Sequence, residues 1–232
     1  MKKYIKIISL FFAGSILLSG CKHEDFLNRN PLDELSRETF FKNELQIQQS
    51  LNATYRRYRS QIIGGMGNGN GSSIDMESIT DNGYTGSGYN NFQNFAQGNN
   101  TASANNGASN NMWNHCWQGI SACNFFLDNI EREEVKVLLS DDDYKKYKGE
   151  ALFNRCYFYH LLAEHFGDLP WLENFVSAET PYLEKPREAK SIIVSNLLRD
   201  IDIAIAGLPL PEAGYTDGHA IQSSAIMLKV RI

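Results

Sequence analysis

Between residues 75 and 92 the chain places Asp75, Asp81, Asn82, Tyr84, Tyr89, Asn90 and Phe92, and Trp113 follows. Flat aromatic side chains stack on the C–H faces of sugars, while carboxylates and carboxamides hydrogen-bond the hydroxyls around them. These are the residue types of a saccharide site. Each also has a packing role open to it: Tyr84, Phe92 and Phe95 as core, and the asparagines as loop solvation. The surrounding sequence favours a ligand site for the region as a whole. It opens with "GGMGNGNGSS" and closes with "NNTASANNGASNN", so residues 64–111 read as one irregular loop. A loop of that length inside a domain is uncommon unless it serves function or stays unfolded.

Catalytic chemistry finds less support. "HLLAEH" (His160, Glu164, His165) is one residue too long for H-x-x-E-H, and residues five apart on a helix point about 140° from each other. The glycines at 64, 65, 67, 69 and 71 lack the Lys-Ser/Thr of a phosphate loop, and no Gly-x-Ser-x-Gly occurs. Asp141 and Asp143 belong to a helix start, which leaves no carboxylate pair set for glycoside hydrolysis. Arg155, on an apolar helix face, is expected to pair with Glu150 or Asp168. No catalytic residue, metal or cofactor is expected.

Charge narrows the partners. The net charge is −5, and no Lys or Arg lies between Arg59 and Arg132. Nucleic acid is therefore not an expected partner, since phosphate neutralisation needs cations. Cys116 and Cys123 lie roughly 10 Å apart along one helix, beyond the reach of about 7 Å that a disulfide allows. With Cys156 they read as small buried apolar residues.

The N-terminus gives an address. Lys2, Lys3 and Lys6 precede an apolar run from Ile7 to Leu18, and Ser19 and Gly20 lead into Cys21. That is a secretory leader, with an apolar run of about a dozen residues, too short to span a bilayer. Residues 1–20 are read as the signal peptide, and 21–42 as a tether and lead-in. "LLSGC" resembles the bacterial lipobox, in which Cys21 becomes the lipidated first residue. One acyl chain binds a membrane reversibly, and two or more anchor firmly. The acidic Glu24 and Asp25 resemble a surface-export signal of Bacteroidetes lipoproteins.

Helical elements must position whatever binds. Asn43 with Gln46 reads as a cap, followed by Ile47, Leu51, Tyr55, Tyr58 and Ile62 at helical spacing. A second helix is expected over about 111–131, with Cys116, Ile120, Cys123, Leu127 and Ile130 inward. In that stripe Trp117 reads as core. A third starts at Ser140, with Asp143 as its partner, and ends at Gly167. A fourth covers about 188–206, and a fifth begins near His219. The fold class is mainly α, with little β.

Four stretches resemble the SusD/RagB family in the family's own order: "FLNRNPLDELSRETFFKNELQIQQSLNATYRRY", "MWNHCWQGISACNFFLDNI", "YKGEALFNRCYFYHLLAEHFGDLPW" and "PREAKSIIVSNLLRDIDIAIAGLP". The resemblance matches the N-terminal part of the family's pattern. It implies tetratricopeptide-like helix pairs over 43–232. It also implies an outer-membrane lipoprotein, exposed at the cell surface, that binds an oligosaccharide or peptide without catalysis and serves a SusC-like TonB-dependent transporter. Cys156 stands where the family favours alanine. "SSAIMLKVRI" lacks a helix stop, which suggests a fragment or an interrupted gene, with Ala220, Ile221, Ala225 and Leu228 expected to lie bare. The rival reading is a helical interaction protein in which the loop is only a spacer.

Overall fold

The computed structural model describes residues 40–58, 77, 80–83, 97–98, 107–177, 185–211 and 218–232. The chain divides into Met1–Phe40 and Phe41–Ile232, and every helix named below belongs to the second unit. Cys21, the leader and Ile62 lie outside the described residues.

Among the described residues six helices follow in order: α1 (Glu44–Arg57), α2 (Gly107–Ile130), α3 (Glu133–Lys136), α4 (Asp141–Phe166), α5 (Lys190–Gly207) and α6 (Gln222–Arg231). Their starts follow side-chain chemistry. Asn43 Oδ1 accepts from the Gln46 amide at 3.0 Å, and Gln46 Oε1 accepts from the Lys42 amide at 2.7 Å. Such reciprocal bonds satisfy donors that the first turn leaves open. At α4, Ser140 Oγ accepts from the Asp143 amide at 3.1 Å, and Asp141, Asp142 and Asp143 sit at the positive end of the helix dipole. The α5 cap comes from afar: Asp168 Oδ1 accepts from the Lys190 amide at 2.9 Å. Gly167, at φ 71°, ends α4 in a conformation that an L side chain rarely adopts. Among the described residues the only β pairing is one antiparallel bridge, Leu169 with Glu188.

Cross-helix contacts fix the directions. Glu131, just past α2, meets Tyr144 and Lys148 near the start of α4, while Trp113 meets Phe166 at the far end. Those helices are antiparallel. Where they cross, Gly119 lets the Phe158 ring lie directly against the α2 backbone. Arg155 reaches Asp200, and Gly149 lies against Ala204 and Leu208, so α4 and α5 are antiparallel too. By contrast α1 runs parallel to α4, with Gln48 on Tyr147, Thr54 on Asn154 and Tyr58 on Phe158. The first helix of one hairpin thus packs on its own partner and on the first helix of the next. That is the tetratricopeptide-like arrangement the sequence predicts. α6 begins a third unit, antiparallel to α5, with Gln222 on the Ile205 carbonyl and Lys229 on Asp202.

The expected stripes are the core: Ile47, Leu51, Cys116, Ile120, Cys123, Ile130, Phe158, Leu162, Ile193, Leu197 and Ile201 are buried. Cys116, Cys123 and Cys156 are free and buried, and burial pushes the Cys116 and Cys123 thiols up to about 12. One expectation is overturned. Ala225 and Leu228 are buried, because that face of α6 meets α5, Ala220 just before the helix is buried and Ile221 half-buried; the exposed face carries Ile226, Met227 and Val230. The start of α6 is held by Glu150, which is fully buried. Its Oε2 accepts from the Tyr55 hydroxyl at 2.8 Å and contacts His219 Nδ1 at 2.6 Å, while Tyr55 accepts from the Ala220 amide. Burial and the Glu150 carboxylate push the Tyr55 hydroxyl far above its ordinary range.

Glu131 joins α2, α3 and α4. Partial burial opposes its charge. Hydrogen bonds from Lys148 (2.7 Å), Tyr144 (2.7 Å) and Lys136 (3.1 Å) outweigh that and bring its carboxyl down to about 2. A carboxyl lowered by folding stabilises above its unfolded value near 4.5, and that stabilisation fades as pH falls toward 2. Glu131→Gln is therefore expected to be less stable than the parent at pH 7 and equal to it near pH 2, measured by urea unfolding. Solvent screening keeps the difference below about 1 kcal/mol. An identical gap at both pH values would refute the assignment.

Candidate ligand groove

Beside the crossing of α2 and α4 lies an open cavity of ≈ 550 Å³, within the usual range for small-ligand sites. One wall is α2, which presents Trp113, Asn114, Trp117, Gln118, Ser121 and Asn124 from successive turns. The other is the segment after α4: Pro170, Leu172, Asn174, Val176 and Ser177, with Lys185 beyond it. Carboxamides, hydroxyls and two indoles converge there, and no carboxylate is among the described lining residues.

The indoles are held by other rings. Trp113 and Trp117 meet edge to face at 5.6 Å and 62°. Trp113 also meets Phe166 at 5.1 Å, and the Arg187 guanidinium lies over its ring at 5.2 Å. Trp117 rests against Tyr159 at 5.6 Å, and Tyr159 against Trp171 at 4.5 Å. The edge contacts of Trp113 with Trp117 and Phe166, and of Trp117 with Tyr159, match the positive rim of one ring to the negative face of the next. Trp117 Nε1 has no hydrogen-bond partner among the described residues, so ring contacts position that indole.

The second wall is fixed by a buried polar lattice. Asn124 Nδ2 donates to the carbonyls of Leu172 (2.9 Å) and Asn174 (3.2 Å). Its Oδ1 accepts from Arg155 at 3.0 Å, and Arg155 also donates to the Glu173 carbonyl at 2.9 Å. The Leu172 amide donates to Tyr159 Oη at 2.8 Å, and the Phe175 amide to Asp128 at 2.8 Å. A segment without regular structure would otherwise leave main-chain groups open, so each bond here replaces one lost from a helix or sheet.

Arg155 itself pairs with Asp200 at 2.5 Å, both nearly fully buried. This corrects the expected partners. Glu150 is five residues back on the same helix and points elsewhere, and Asp168 is engaged at the α5 cap. Antiparallel packing brings Asp200 opposite instead. Trp117 is corrected too: it is half-buried and lines the cavity, at the edge of the stripe that faces α4, with one side of its ring against Tyr159. Among the described residues no group of three or more His, Cys, Asp or Glu is placed to hold a metal ion.

Residues 25–225 match a SusD-like family model described as "Starch-binding associating with outer membrane". The chain belongs to the SusD-like family. This SusD-like chain is 26% identical over 218 residues to SusD-like protein P2 of Formosa agariphila, covering 90% of this chain and 39% of that protein. A SusD-like carbohydrate binding protein of Bacteroides fragilis superposes with a TM-score of 0.70 at 24% identity, over 83% of this chain and 37% of that one. Surface glycan-binding protein A of Bacteroides uniformis superposes with a TM-score of 0.64 at 22% identity, over 81% and 41%. The SusD-like chain thus spans about two fifths of the length of these relatives. The structural likenesses show a shared helical fold.

Of the residues expected to bind, Trp113 lines the groove. Asp81 and Asn82 lie exposed in a turn where the Asn82 amide donates to Thr80 Oγ1 at 3.2 Å, and they are not among the lining residues. Asp75, Tyr84, Tyr89, Asn90 and Phe92 lie outside the described residues. Sequence reasoning missed Asn114, Gln118, Ser121 and Asn124. Their signal was present: a neutral polar stripe at helical spacing beside the apolar one, on the only long helix with two tryptophans four apart.

Proposed function

We propose that this chain is part of a lipid-anchored cell-surface protein that captures a glycan in the Trp113–Trp117 groove. It acts without catalysis and passes the glycan to a SusC-like TonB-dependent transporter in the outer membrane. The observation that carries the reading is the groove's composition: two partly exposed indoles beside Asn114, Gln118 and Ser121, with no described lining carboxylate to act as acid or base. Indole faces and carboxamides suit C–H surfaces and hydroxyls. The family description, the lipobox-like Cys21 and the named binding properties of the relatives support the same reading. Asp75, Asp81, Asn82, Tyr84, Tyr89, Asn90 and Phe92 remain proposed further contacts.

Affinity electrophoresis against a polysaccharide panel tests this. The parent chain is expected to be retarded by at least one glycan. Trp113→Ala and Trp117→Ala should each weaken retention by about tenfold, the scale of a lost ring contact with its buried area. Unchanged circular dichroism separates a binding defect from unfolding. Full retention in both variants would place the glycan elsewhere, and turnover of a labelled glycan would overturn the non-catalytic assignment.

A further inference from the structure

Lys185 is the only charged side chain among the described lining residues of the groove; the others are Trp, Asn, Gln, Ser, Pro, Leu, Ile and Val. Lys185 Nζ donates to the Trp171 carbonyl, which leaves two of its three N–H donors for another acceptor. A second cation follows two residues later and reaches a groove-lining ring. Arg187 lies over the Trp113 ring and donates to the Asp168 carbonyl at 3.2 Å. Among the described residues these two cations have no ion-pair partner, on a chain whose net charge is −5.

We propose that the groove selects a saccharide bearing an anionic substituent, a carboxylate or a sulfate ester, with Lys185 as the direct contact and Arg187 adding to the local field. The proposal rests on the reading of the groove as a glycan site and names the class of glycan. Charge attraction strengthens where low-dielectric walls replace water, and the groove has such walls in Trp113, Trp117, Pro170 and Leu172. The acidity of the rest of the chain acts at longer range, where salt screens it beyond about 10 Å at 0.1 M. The nearby cations consequently decide the sign that the ligand meets. A hydrogen bond to a charged group also gains more than one to a hydroxyl, so the acidic sugar outcompetes its neutral analogue.

The full chain in detergent is run through affinity gels containing soluble starch or laminarin as neutral probes, polygalacturonate or alginate as uronates, and carrageenan as the sulfated probe. Retardation is expected with a uronate or the sulfated gel, and which of them retards assigns carboxylate or sulfate. Lys185→Gln should weaken it about tenfold, Lys185→Arg should keep most of it, and added salt should reduce it. Neutral gels that retard as strongly as acidic ones, with Lys185→Gln unchanged, overturn the charge proposal and leave the glycan reading standing. Acidic retention that survives Trp113→Ala marks charge binding outside the groove and also overturns it. Silence in all five gels, with unaltered circular dichroism, removes the glycan reading together with the proposal.

Discussion

Asp200→Ala is expected to lower the unfolding free energy by about 3–5 kcal/mol. The Arg155 guanidinium would stay in the interior, 4% exposed, with only the neutral acceptors Asn124 Oδ1 and the Glu173 carbonyl. Arg155 Nε already has no partner among the described residues, so the charge has no other acid to turn to. The reverse change is milder. In Arg155→Met, Asp200 keeps Arg199, whose Nε and guanidinium nitrogen lie 3.1 and 3.0 Å from Oδ1. A loss of about 1–3 kcal/mol is expected there, on the scale of a lost charged hydrogen bond. The double variant should recover part of the Asp200→Ala loss, since removing both charges leaves nothing stranded. Urea unfolding of the four proteins measures this cycle, and equal losses in the two single variants would contradict it. Arg155→Met should also weaken glycan retention, because it releases the Asn124 and Glu173 anchors of the groove wall.

Phe158→Ala is expected to cost about 3–5 kcal/mol, the range for a buried ring removed from a packed core. Phe158 is fully buried and lies 5.1 Å from the Tyr58 ring and 5.9 Å from Tyr157. It also fills the space above Gly119, where a Cβ would stand 2.6 Å from two of its ring carbons. Gly119→Ala alone should cost about 1–3 kcal/mol, because an aromatic ring cannot give way as a flexible chain end does. The two changes should not add. With the ring gone, the new methyl enters vacated volume, and the double variant should be more stable than the sum by about 0.5–3 kcal/mol. Strict additivity in thermal or urea unfolding would show that Gly119 and Phe158 do not share this space.

Much of the scaffold was legible because its signals are local. Asn43 with Gln46 and Ser140 with Asp143 sit three residues apart, and both caps form as their spacing predicts. The apolar stripes of α2, α4 and α5 are buried for the same reason: helical period alone decides which side chains share a face. Residues whose role depends on a distant element were harder to read. Arg155 finds Asp200 only after α4 and α5 pack antiparallel, and Asp168 caps a helix that starts twenty-two residues later. Trp117 borders the apolar stripe, and sequence cannot say whether the adjoining sector is covered. The short α3 went unread because its four residues carry no period. Trp113 was read as a ligand contact and stands in the groove, but the carboxamides of α2 went unread. They become a wall only when residues 170–177 fold back across them.

The grip on that second wall is almost wholly to main-chain atoms: Asn124 and Arg155 hold carbonyls of residues 172–174, and Tyr159 and Asp128 take amides of 172 and 175. Its path is consequently indifferent to which side chains it displays. Leu172, Asn174 and Val176 can be exchanged for others with the trace unmoved, as tool bits are swapped in a fixed chuck. Diversification among descendants of such a scaffold would then concentrate at those three positions, while Asn124, Arg155 and Tyr159 stay constant.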